Sequence, residues 1–311
     1  MLVALLVFAA GCGDGDGGSN TTTQAAPDGS FAVGSLNFVF VDTSRPTAAN
    51  NGVPAKDSRT LRSVVYYPAT GMGVGAPAVS GRRFPLIVFA HGFMALARIY
   101  GPILQAWGAA GYVVVAPDFP LSSGASPGGP VLEDYVNQPA DESFLIDQML
   151  ALNDDAASPL HDLIDAERIG VSGHSLGGMT TFGAGFHTCC REPRIDAAVP
   201  MAGRLMPFPD GEYDAMIGPP VLIIHGDDDE SVAYQDAIDA YAFASPPKLL
   251  LTHLGGRHVP PYVGGSDIPA LTATIDASTA FFDLYLKNEQ GSRERLLEVG
   301  TRDRIELVHM F

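Results

Sequence analysis

GHSLGG, residues 173–178, follows the apolar run RIGVSG (168–173) and precedes the small-residue stretch LGGMTTFGAGF (176–186). The run reads as a short buried strand and the stretch as a helix able to lie close on a sheet. A serine between them, with glycine on both sides, sits where a strand turns sharply into a helix and exposes its hydroxyl. The pattern GxSxG alone is weak in a chain with 35 glycines, and GASPG (124–128) matches it too. Ser126 lacks the strand and the helix, and Pro127 removes the backbone N–H that would face an oxyanion. Ser175 is therefore the candidate nucleophile.

The flanking sequence extends the same alternation. Strand patterns fall at 38–42, 61–68, 85–90, 112–118, 168–173, 195–202, 220–226 and 248–254, with helix patterns at about 95–110, 141–153, 176–187, 233–243 and 268–288. The later strands are continuous apolar runs, as a parallel sheet covered on both faces requires, and regular alternation implies right-handed crossovers. The first two are more polar and read as antiparallel edge strands. The fold class is α/β: a doubly wound, mostly parallel sheet with helices on both faces and ligands at the carboxyl ends of the strands. Residues 31–290 form one domain, and 291–311 form a charged tail packed on or beside it, ending in a possible short strand.

With 18 basic and 35 acidic residues the net charge is −17, which opposes binding to nucleic acid and anionic lipid. The acidity reads as a solvated, self-repelling surface on a monomer. MLVALLVFAAGC (1–12) is an apolar leader too short to span a bilayer, and residues 13–30 form a polar tether. Ala9-Ala10-Gly11-Cys12 resembles a bacterial lipobox, which makes Cys12 the candidate lipid anchor and possible membrane tether. Export follows on either alternative, a membrane-anchored lipoprotein or a secreted or periplasmic protein. Cys189 and Cys190 are adjacent and cannot staple distant segments. No histidine or cysteine stands at zinc-like spacing from them, so no metal site is expected, and no dinucleotide fingerprint or other cofactor signal is present.

A serine hydroxyl needs a base to take its proton, and the base needs an acid to hold its tautomer. The acid belongs after PVLIIHG (220–226), where Asp227, Asp228, Asp229 and Glu230 are the alternatives. Of the later histidines, His253 lies inside a strand pattern and His309 two residues from the end, whereas His258 follows the small stretch Gly255-Gly256-Arg257 after a strand end. Two oxyanion N–H groups are expected, from Leu176 and from Phe93 in FAHGF (89–93). His91, His174 and His225 read as structural or pocket-lining, with His174 and Phe93 the candidate substrate contacts.

With VVYYP (64–68), FAHGF (89–93), GYVVVAPD (111–118), GHSLGG (173–178), CCREPRIDAAVPMAG (189–203), HGDDDESV (225–232) and GGRHVPP (255–261), the chain resembles the α/β-hydrolase superfamily. The closest resemblance is to the branch of chlorophyllase-like, platelet-activating-factor acetylhydrolase-like and cutinase-type polyester hydrolases. That resemblance selects Asp229 as the acid and His258 as the base, and gives Phe93 an oxyanion N–H and a wall of the acyl pocket. It departs from the polyester hydrolases in lacking their second pair of cysteines and a tryptophan near the site; Trp107 reads as core. Only 17 residues separate IDAAVPMA from PVLIIHG, too few for a helical cap, so an open cleft is expected, with 119–140 as its other rim. The reading is a serine carboxylic-ester hydrolase of esterase or lipase type, with a small-molecule, lipid or polymer ester as substrate. The alternatives are a serine peptidase or amidase on the same fold and a non-catalytic binding protein.

Overall fold

The computed structural model describes residues 5–6, 30–263, 265 and 267–311. The leader and tether, apart from Leu5–Leu6 and Ser30, and Cys12 with them, lie outside the described residues. The long strands are β1 (Ala32–Asp42), β2 (Arg59–Ala69), β3 (Phe84–Ala90), β4 (Val113–Asp118), β5 (Ile164–His174), β6 (Ile195–Met201), β7 (Val221–Gly226), β8 (Lys248–His253) and β9 (Ile305–Met310). They join one sheet in the order β1-β2-β4-β3-β5-β6-β7-β8-β9, and Leu5–Leu6 and Gly73–Val74 add two-residue pairings to β1. From β4 to β8 the pairings are parallel; β1, β2 and β9 join antiparallel.

The helices are α1 (Gly101–Ala109), α2 (Gln138–Asp154), α3 (Leu176–Phe186), α4 (Tyr234–Phe243), α5 (Pro260–Val263), α6 (Ile268–Leu286) and α7 (Ser292–Val299). Side chains alternate across a pleat, so each central strand feeds two cores. In β3, Leu86, Val88 and Ala90 pack with α2, α3 and α4 on one face. Ile87 and Phe89 pack with α1, α6 and α7 on the other. That double burial is why the central strands read as unbroken apolar runs; each fully buried Val, Leu, Ile or Phe contributes about 1.5–3 kcal/mol. No helix among the described residues is long and apolar enough to cross a membrane.

One feature differs from the sequence expectation. β2 is not an edge strand, because β1 covers one side of it and β4 the other. Its alternating pattern came instead from antiparallel pairing near the sheet's margin. The tail is part of the sheet: α7 packs Leu296 and Val299 into the second core, and β9 runs antiparallel to β8 from Lys248↔Met310 to His253↔Ile305. Its charges fit an edge strand, where one row of side chains meets water.

From β3 the chain crosses to β4 on one side, whereas from β5 it proceeds to β6 on the other. The sheet's direction of growth therefore reverses between β3 and β5, which is where a doubly wound sheet opens a crevice. The carboxyl ends are in register there, with Ala90 opposite Gly173, His174 opposite Met201, and Gly226 opposite His253. The loops carrying Phe93, Ser175, Asp229 and His258 thus leave the sheet at one level.

Beneath α3, the Glu142 carboxyl on α2 is fully buried with neither oxygen hydrogen-bonded. Burial, with Asp141 and Glu192 adding repulsion, pushes its pKa well above the ordinary carboxylate value. As pH rises through the unfolded-chain value, the unfolded state loses this proton while the folded state keeps it, so stability falls with rising pH. Glu142→Gln keeps the shape and removes the ionisation. We expect its melting temperature at pH 7 to exceed that of the parent, by about 2–4 °C per kcal/mol gained, with the difference vanishing at pH 4. Melts at the two pH values check this.

Candidate active site

The turn at Ser175 depends on clearance. Ser175 has φ 57° and ψ −117°, a backbone conformation that a side chain rarely adopts, and its N–H donates to the carbonyl of Met201 at 2.9 Å. A Cβ on Gly177 would overlap the carbonyl of Ala90, and one on Gly178 would come within 2.7 Å of the carbonyl oxygen of Met201. The small residues after the serine therefore let α3 descend onto β3 and β6, which fixes the hydroxyl above the strand ends.

His258 and Asp229 meet it there. Nε2 of His258 lies 2.9 Å from Oγ of Ser175, and Nδ1 lies 2.7 Å from Oδ2 of Asp229. Burial works to raise the Asp229 pKa, but hydrogen bonds from His225, His258 and the N–H groups of Val232 and Ser231 overcome it and hold the carboxyl well below its ordinary value. The Val232 and Ser231 bonds to Oδ1 are both 2.8 Å. Asp229 is thus an ionised acceptor aimed at the imidazole. His225, read from sequence as a core histidine, is buried with Nε2 3.3 Å from the same carboxylate and 3.1 Å from the carbonyl of Val232.

The other acids of the quartet divide. Asp227 accepts the N–H of Gly255 at 2.5 Å. Glu230 accepts the N–H of His258 at 3.3 Å and pairs with Arg257 at 3.0 Å. The N–H of Asp228 donates to the carbonyl of Gly256 at 3.0 Å. Acid turn and base loop are zipped together along their length, a role that composition alone cannot separate from a solvated acidic turn. His253 is buried against Thr274 (2.8 Å), and burial pushes its pKa down to about 4. His309 lies on β9 beside Phe311, and Ser126 sits in a turn with its Oγ 3.2 Å from that of Ser123. Neither of these two joins the site.

The Leu176 N–H, expected from sequence to face an oxyanion, is the first of α3, a position with no helical acceptor behind it. Phe93, in the loop after β3, packs with Leu176 and lines the cleft at Ser175. That loop is braced from two directions. Met94, at φ 64°, donates its N–H to the carbonyl of Ser122 at 2.9 Å, and the N–H of Gly124 returns to the carbonyl of Ala95 at 3.0 Å. Arg59, buried on β2, pairs with Asp134 (2.9 Å) in the segment after β4 and with Asp141 (2.7 Å) on α2.

His174 and Tyr100 form the floor. The Gly92 N–H donates to the Tyr100 hydroxyl at 3.1 Å, and that hydroxyl lies 2.9 Å from Nδ1 of His174, whose Nε2 lies 2.7 Å from the carbonyl oxygen of His258. Burial pushes the His174 pKa down to about 3. A neutral ring satisfies both contacts when Nδ1 accepts from tyrosine and Nε2–H donates to the carbonyl. His174 lines the cleft with both nitrogens committed to the protein, so it joins oxyanion loop, serine turn and base loop. Tyr100 carries no motif; its only sequence signal is an aromatic next to the first crossover helix.

Two apolar groups of side chains that share Phe93 adjoin Ser175. A cleft of about 240 Å³ at Ser175 is lined by Phe93, Met94, Ile99, Val259 and Val263. Leu176, Met179 and Val232 pack with Phe93, Tyr135 and Met206. A cavity of similar size behind the rim, about 220 Å³, is lined by Lys56, Arg62 and Asp118 among others and by no residue of the Ser175–His258–Asp229 set.

A sheet of this order, with a serine on the turn after β5, defines the α/β-hydrolase class. Within it the chain is similar to chlorophyllase: that family's model matches residues 50–201, just under half of the sequence. The match spans the oxyanion loop and serine turn and stops before the acid and base. It supports a hydrolase of the ester-cleaving kind. No curated protein matches the chain.

Removing the Tyr100 hydroxyl leaves a buried N–H and an imidazole nitrogen unpartnered, a cost of about 1–3 kcal/mol. We expect Tyr100→Phe to lower kcat/KM for an activated ester about 5- to 50-fold while the fold persists. Steady-state kinetics alongside circular dichroism measure both.

Proposed function

We propose that the protein is a serine carboxylic-ester hydrolase working through an acyl-enzyme, and the observation that carries this is the continuous hydrogen-bonded path Ser175–His258–Asp229 beneath an open apolar cleft. In this reading His258 takes the Ser175 proton as Oγ attacks the ester carbonyl, and Asp229 stabilises the imidazolium. The N–H groups of Phe93 and Leu176 receive the developing oxyanion. His258 then returns the proton to the leaving alcohol, and a water activated by the same ring releases the acid. The apolar side chains around Ser175 suit an ester carrying apolar groups, and the 19-residue connection between β6 and β7 leaves the cleft open to bulky or extended ones. We place the substrates among small-molecule, lipid and polymer esters, met by an exported monomer tethered or released at its leader.

With p-nitrophenyl esters the enzyme should show a burst of one equivalent, and a fluorophosphonate should label Ser175 stoichiometrically; absence of both excludes the acyl-enzyme. Ser175→Ala should lose on the order of 10⁴–10⁶ in kcat with melting unchanged. Asp229→Asn, which leaves the imidazole without its anion, should lose on the order of 10⁴. Retained turnover in purified Ser175→Ala protein would exclude the assignment.

A further inference from the structure

At the end of α3 remote from Ser175, the chain runs His187-Thr188-Cys189-Cys190, with the two cysteines joined by a disulfide. A ring nitrogen of His187 and the two sulfurs lie within 4.8 Å of one another. His187 is buried, its ring 4.6 Å from that of Tyr213 and 4.9 Å from that of Phe208, and it accepts the Cys189 N–H on Nδ1 at 3.3 Å. Cys189 is exposed, which gives solvent access to the sulfurs. The turn is held independently of the sulfur bridge. Thr188 N–H donates to the Glu212 carbonyl, Glu212 N–H donates to the Thr188 hydroxyl, both at 2.9 Å, and Gly211 packs so closely that a Cβ there would lie 2.6 Å from that hydroxyl.

We propose that, once reduced, this turn binds a thiophilic d¹⁰ cation, zinc(II) or copper(I), through Cys189 Sγ, Cys190 Sγ and His187. Two thiolates and an imidazole are a soft donor set that selects such ions over magnesium or calcium. Tetrahedral zinc, with bonds of about 2.0–2.3 Å, wants neighbouring ligand atoms roughly 3.5–3.8 Å apart, so the imidazole is within about 1 Å of place and the sulfurs need only separate. The steps balance: a dithiol gives two electrons and two protons to the disulfide and leaves as its own disulfide, and the cation then displaces the two thiol protons to solvent. The sequence carries no C-x-x-C spacing. The turn after α3 supplies the convergence instead, by folding His187 back beside its second and third neighbours.

The test uses the full chain carrying Cys12→Ser, so that no third thiol contributes. After reduction with dithiothreitol and anaerobic desalting, zinc is titrated against a chromophoric chelator. We expect one equivalent bound by the reduced protein, none by the oxidised protein, none by Cys189→Ser/Cys190→Ser, and roughly tenfold or more weaker binding by His187→Gln. Failure of the reduced protein to bind zinc overturns the site, as does undiminished binding by the double serine variant or by folded His187→Gln. The cysteine pair, exposed at Cys189 and half-buried at Cys190, tolerates serine, so the double variant and the redox comparison decide the matter even if the histidine variant does not fold.

Discussion

Everything at the candidate active centre depends on how closely the helix after Ser175 approaches the sheet. The left-handed turn at the serine is tolerable only where the backbone around it makes several contacts that a side chain would block, and Gly177 against Ala90 and Gly178 against Met201 are those contacts. The strain is offset by the two cores that clamp β3, β5 and β6 from both faces. A looser helix would lift the hydroxyl away from the imidazole, and the hydrogen-bonded path would end at its first member.

The other half of the site is built as one body. Asp229 is fixed by two backbone N–H groups and by His225, and the loop carrying His258 is stitched to the acid turn through Asp227, Asp228 and Glu230. The base therefore moves with its acid and not independently of it. Tyr100 and His174 then join this body to the oxyanion loop through groups that stay neutral in the buried floor.

Sequence made the central architecture legible because strands buried on both faces must be apolar throughout. Predicted and observed limits of the strands from β3 to β8 agree within a few residues; β5 differs most, beginning at Ile164 where the apolar pattern starts at Arg168. β2 was harder to place because antiparallel pairing leaves the same alternation at an edge or one strand in. The helix of the tail was hidden by its charge, whereas its strand was legible as the closing stretch IELVHMF. At the site, order along the chain singles out Ser175 and His258, whereas four consecutive acids are equivalent until the chain is folded, and only resemblance separated Asp229. Tyr100 and the donation from His225 to Asp229 left no trace in sequence, since each depends on what a buried polar atom meets across the fold. The approach of His187 to the cysteine pair was equally hidden, because it arises from a turn and not from a spacing rule.

The segment after β4 is bonded at Ser122 and Gly124 to the backbone of Met94 and Ala95, one residue on from the Phe93 N–H proposed to receive the oxyanion. In the proposed reading, this segment and the donor to the reacting carbonyl are therefore mechanically continuous. On that reading, a change of sequence in the segment after β4 would reach the rate constant as well as the choice of ester, so the two properties would drift together.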